Sequence, residues 1–149
     1  MSDATGDAGS KAPAYADLIE VTVESDGTNA RVTVTMNGDV PSPMPSGEEM
    51  AIGVDIFRTE NQREGDYQLY GSGDQNGWVA FLDTPRGFVK YPGTFQIGGP
   101  ALVFTVPWFS LGSLRSAYAR VFMDWDRNGV VLNDVGEDHA PDGGTFRYR

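Results

Sequence analysis

The chain contains no cysteine, which excludes disulfide frameworks and thiolate metal centres. Its single histidine, His139, leaves too few imidazoles for a histidine-built zinc or iron site. Positive charge is also scarce: 11 Lys and Arg, only two of them Lys, stand against 21 Asp and Glu. The resulting net charge of −10 sets the chain against nucleic acid and anionic membranes, both of which call for Lys and Arg. No apolar run reaches 18 residues, so no helical membrane span is expected. No basic-then-apolar leader follows Met1; "MSDATGDAGSKAPAYAD" reads as an initiator methionine on an excised, turn-rich start. The chain is then either cytosolic or, the favoured reading, expected to start after a removed signal or inside a longer chain, extracellular or at a cell surface.

Helical periodicity is the other thing in short supply. Period-2 alternation begins at Asp17, with Ile19, Val21 and Val23 set against Glu20, Thr22 and Glu24. Asp26-Gly27 then turns the chain into Ala30, Val32, Val34 and Met36, a hairpin signature. "NGDVPSPMPSGEE" is too proline-rich for a central strand and should cross between sheets or cap an end. Further strands are predicted around Met50–Phe57, "DYQLYGSG", "WVAFL", "FVKY", "TFQIG", "ALVFTV" and "AYARVFMDW", with "GTFRYR" as a terminal strand. "WFSLG" reads as one helical turn. Eight to ten short strands with regular turn signals predict an all-β, two-sheet antiparallel β-sandwich; a closed barrel is the alternative. Residues 1–14 are expected to be a flexible or metal-ordered segment, and 15–149 a single sandwich domain large enough to bury roughly 70% of its unfolded surface.

Fourteen of the acids are Asp, the residue of turns and hard-cation sites. In "DWDRNGVVLND", Asp124, Asp126, Asn128 and Asp134 supply alternating oxygens, Gly129 permits a sharp bend, and Val130 offers a carbonyl. This spacing suits calcium, although Val135 stands where an EF-hand has its bidentate glutamate. The competing reading is a solvated polar turn at Asn128-Gly129. Asp3 and Asp7, with Glu137, Asp138 and Asp142, form two more acidic clusters that could meet if the termini are neighbours.

Aromatics are plentiful among the strands: Trp78, Trp108, Trp125, Tyr67, Tyr70, Phe81, Phe88, Tyr91 and Tyr118. Most rings in a small domain belong to its core. Around the hairpin "DYQLYGSGDQNGWVAF", however, Tyr70, Asp74, Gln75 and Trp78 combine stacking surface with hydrogen-bonding groups and form a candidate sugar site. The glycine-rich turn there lacks the lysine and helix of a phosphate loop. No acid pair or Ser-His-Asp order marks a hydrolase, which stands as a second alternative function.

Taken along the chain, "DATGD", "ADLIEVTVESDG", "RVTVTMNGDVP", "IGVDIF", "VFTVPWFSLG" and "DHAPDGG" resemble DOMON-like β-sandwich modules. Family 9 carbohydrate-binding modules and the C-terminal module of glucodextranase belong to this group. The resemblance implies a non-catalytic module that binds carbohydrate or a cell-surface polymer and tethers a parent multidomain protein. It also implies a structural calcium held by the N-terminal acidic loop, here Asp3 and Asp7. Ala4 departs from the proline usual at that place. A calcium-dependent adhesion module without a sugar site is the nearest alternative. Haem, held by some relatives, would need His139 or a methionine as axial ligand.

Overall fold

The computed structural model describes Ser2 and residues 12–59, 66–114, 117–127, 137–140 and 146–148, the last two stretches as backbone pairing. Among the described residues eleven strands run in chain order as β1 (Leu18–Ser25), β2 (Asn29–Met36), β3 (Glu48–Phe57), β4 (Tyr67–Asp74), β5 (Gly77–Thr84), β6 (Gly87–Lys90), β7 (Thr94–Gly98), β8 (Ala101–Pro107), β9 (Ala117–Arg127), β10 (Glu137–Ala140) and β11 (Phe146–Tyr148). They form two antiparallel sheets. The smaller has the order β1-β2-β8-β7; the larger runs β10-β9-β3-β4-β5-β6, with β11 also paired to β9. Neither order closes on itself, so the architecture is the sandwich and not the barrel. Among the described residues no helix is long and apolar enough to cross a membrane.

The connections follow from local chemistry. Asp26 accepts the amides of Thr28 (2.8 Å) and Asn29 (2.6 Å), closing the first hairpin around Gly27. The proline-rich segment 37–47 carries the chain from β2 in one sheet to β3 in the other, where Val40 and Met44 are buried. Pro107 ends β8 and starts a single 3₁₀ turn, Trp108–Leu111, closed by Gly112 at φ 60°. A second 3₁₀ turn, Ala14–Ala16, had no clear sequence signal; Ala16 is fully buried and Ala12 and Tyr15 pack on the core.

Alternation fills the interior as the sequence predicted. Val32, Val34, Leu102, Phe104 and Val106 of the small sheet face Met50, Ile52, Val54, Ile56, Leu69, Leu82, Val121 and Met123 of the large one. Each such side chain, moved from water, contributes on the order of 1.5–3 kcal/mol. One strand departs from simple alternation. A register shift between Leu18 and Glu20 makes Leu18, and not Ile19, the fully buried residue at the start of β1. The bulge absorbs one residue, so Val21 still points inward.

Candidate ligand-binding face

The outward face of the large sheet carries the residues with most binding chemistry. Gly53 lies opposite Phe122 on one side and Tyr70 on the other, and Tyr70 lies opposite Phe81. A Cβ on Gly53 would fall 2.2 Å from the Phe122 ring, so the glycine is what lets that ring lie across β3. Phe122, Tyr70 and Phe81 therefore form a row running across strands about 4.8 Å apart. Phe81 is exposed, and Tyr70 and Phe122 are half-buried.

Polar groups flank the row. On one side Asp55, only 5% exposed, accepts Arg120 Nη2 and Gln68 Nε2, each at 2.7 Å. The Arg120 guanidinium also lies 5.5 Å from the Phe57 ring centre, and its Nε is buried without a hydrogen-bond partner. On the other side Ser72 hydrogen-bonds Tyr70, and exposed Asp124 stands nearby. Burial, and then the Asp124 charge, push the Tyr70 phenol above its ordinary pKa, so Tyr70 is a neutral ring with a hydroxyl at physiological pH. Apolar ring faces beside fixed hydrogen-bonding groups suit an amphipathic, disc-shaped ligand such as a pyranose.

The four residues expected to share a sugar site are separated by the fold. Tyr70 is on the outward face. Trp78 points inward, its indole crossing Gly73, 5.9 Å from Phe95, and donating to Pro41 O at 2.9 Å. Asp74 is engaged in closing the β4–β5 turn, accepting Asn76 N at 2.7 Å and Asn76 Nδ2 at 3.0 Å. The Asn76 side chain and then its amide hold the Asp74 carboxyl below the usual range. Gln75 sits exposed at the tip of that turn, its Oε1 3.5 Å from Ser46 Oγ. Sequence reading missed Phe122, Gln68, Asp55 and Arg120 as a group. The available signal was an aspartate inside the apolar run "IGVDIF", which needs a partner once buried.

Asp124 and Asp126 also lie on this sheet. The strand expected to stop near Trp125 continues through Arg127, paired to Glu48 and Glu49, so the first residues of the proposed calcium loop are strand. Asp124 and Asp126 consequently project from one face. Asp126 lies opposite Glu49, and its Oδ1 is buried with no hydrogen-bond partner. Asn128, Val130 and Asp134, like Asp3 and Asp7, lie outside the described residues. Among the described residues no three acids or histidines gather at metal-binding distance. Ser2 does bridge Glu20 on β1, and β1 runs beside β10, so the two ends of the chain reach the same side of the sandwich.

What holds β9 straight at that end is a clasp around Glu48. Its carboxylate is 6% exposed and accepts Arg127 Nη2 (2.6 Å), Arg127 Nε (3.2 Å), Trp125 Nε1 (3.2 Å) and the Tyr15 hydroxyl. Burial alone would raise the Glu48 pKa, but the bonds from Tyr15, Arg127 and Trp125 outweigh it and the net shift is downward. Burial and the Glu48 charge push the Tyr15 phenol up to about 12. Both carboxylate oxygens are occupied, which is the arrangement of a structural tie and not of an open site. In comparison with known proteins, no family model, no curated protein and no solved structure matches this chain.

Proposed function

We propose that the chain is a non-catalytic carbohydrate-binding sandwich module, acting as the tether of a longer extracellular or cell-surface protein. The observation that carries this reading is the outward row Phe122–Tyr70–Phe81, flanked by Arg120 and Gln68, which buried Asp55 holds in place, on one side and by Ser72 and Asp124 on the other. Sugar C–H faces stack on such rings while the flanking groups bond hydroxyls. An open, solvent-facing sheet surface favours an extended chain of residues over a single enclosed monosaccharide. The affinity fits a dissociation constant on the order of 0.1–1 mM, about −4 to −5.5 kcal/mol.

The test is NMR titration with a panel of soluble oligosaccharides. Shifts should centre on Phe122, Tyr70 and Phe81, and Tyr70→Ala should weaken binding about three- to tenfold, the value of one aromatic contact. Shifts that instead centre on Asp74 and Gln75, or no binding across the panel, would reject this face as the sugar site. A second reading, calcium at the β9 end, is favoured by the unpartnered Asp126 Oδ1 beside Glu49. Calcium there would supply the charge those carboxylates lack; it is compatible with the sugar reading or with an adhesion role alone.

A further inference from the structure

The β5–β6 hairpin has a property the ligand face does not explain. Among the described residues five large apolar side chains are exposed, and four of them sit here: Phe88 (68%), Val79 (53%), Val89 (44%) and Phe81 (39%). β6 ends its sheet, and all four of its residues are exposed. Edge strands in monomers are protected by proline, bulges or several charges; β6 has only Lys90. Two other edges, β1 and β7, differ. β1 is bridged by Ser2, and β7 shows no exposed large apolar side chain.

We propose that β6 is a self-docking edge, through which two copies of this chain join their large sheets across a two-fold axis at Val89. The register argues for a second copy as the occupant. Within one chain Phe88 lies opposite Asp83, Val89 opposite Leu82, and Lys90 opposite Phe81. Phe88 and Lys90 therefore share the outward face, and Val89 points to the inner side. A two-fold axis at Val89 places Val89 against its own copy and Phe88 against Lys90 of the second copy. Each ammonium then meets a Phe88 ring, with Asp83 one strand beyond, so a cation–π contact and a charge pair form twice.

The neighbouring register fails on charge. With the axis at Phe88, Lys90 would face Arg86 of the second copy, two like charges in direct opposition. Space is also available. Val89 keeps 44% of its surface exposed on the inner side, so the small sheet stops short of β6 and two such overhangs can meet. The apolar surface brought together is on the order of 300–400 Å² per copy, about 600–800 Å² in all and below the size of stable specific interfaces. A weak, reversible dimer follows, with a dissociation constant on the order of 10⁻⁴ M.

The experiment is sedimentation velocity on the whole chain from about 5 μM to 1 mM, spanning that constant. Wild type should pass from monomer to dimer. Lys90→Asp should raise the dissociation constant about tenfold or more, Asp83→Lys should raise it by less, and the double charge swap should recover only the charge pair's share, because an aspartate at position 90 cannot make the cation–π contact. Because the chain has no cysteine, Val89→Cys provides an independent reading. It should oxidise to a disulfide dimer faster than Val79→Cys, although Val79 is the more exposed residue. A chain that stays monomeric throughout overturns the proposal. So does a dimer indifferent to Lys90→Asp, or one that crosslinks faster at position 79, since either places the contact elsewhere.

Discussion

Replacing Glu48 with alanine tests whether the clasp at the end of the core is a stability determinant. The Trp125 indole N–H would lose its acceptor while Trp125 is only 6% exposed, and an unsatisfied buried donor costs about 1–3 kcal/mol. The one methylene lost beyond the retained Cβ adds about 0.8 kcal/mol. Arg127 has a 61% exposed side chain, so its share of the ion pair is discounted to about 0–1 kcal/mol. The total is about 2–5 kcal/mol, which in a chain of this length lowers the melting temperature by roughly 5–15 °C. Urea unfolding followed by tryptophan fluorescence and far-ultraviolet circular dichroism measures it. Arg127→Ala, which leaves Tyr15 and Trp125 bonded to Glu48, should cost no more than about 1 kcal/mol. The pH dependence provides a second reading. The Glu48 pKa is depressed in the fold, so its contribution is present above the ordinary carboxylate value of 4.5 and is lost as pH falls through the depressed one. Tyr15 is shifted the other way, so its contribution is complete below pH 10 and is lost as pH rises toward about 12. Glu48→Gln should flatten the acid limb and Tyr15→Phe the alkaline limb. A Glu48→Ala variant within 1 kcal/mol of wild type, or equal in cost to Arg127→Ala, would refute the reasoning.

Three further outcomes are expected. Gly93→Ala places a methyl 1.7 Å from the backbone oxygen of Thr105, which cannot rotate away, so soluble yield or melting temperature should drop by the equivalent of about 3 kcal/mol or more. Gly53→Ala instead displaces the Phe122 ring; NMR titration should show weakened oligosaccharide binding while circular dichroism retains the strand signature. Calcium about tenfold above a dissociation constant on the order of 10⁻⁴ to 10⁻³ M should add about 1.4 kcal/mol to stability. That increment is read as a rise in melting temperature over chelator and should be lost in Asp126→Ala; a rise that survives the substitution moves the ion away from Asp126.

Much of the architecture is local in origin and was therefore legible. Period-2 alternation in 30–36, 50–56 and 67–70 assigns inward and outward residues with no knowledge of neighbours, because successive side chains of a strand point to opposite faces. Asp26-Gly27 and the Pro107 to Gly112 turn are likewise set by backbone preferences within a few residues. The same alternation set Tyr70 apart from Tyr67 and Leu69, and Phe81 apart from Trp78, without saying which set faces out, and hairpin proximity suggested Trp78 as the companion of Tyr70 when its face was inward. Phe122 reaches Tyr70 only because β3 lies between β9 and β4 and carries a glycine at that register. Glu48 finds Trp125 and Arg127, nearly 80 positions away, by the same strand order. Strand order reflects which pairs of faces and edges bury best together, a property of the whole assembled core, so no window of sequence contains it. Alternation decided what each strand offers to either side, and tertiary pairing alone decided which offers meet.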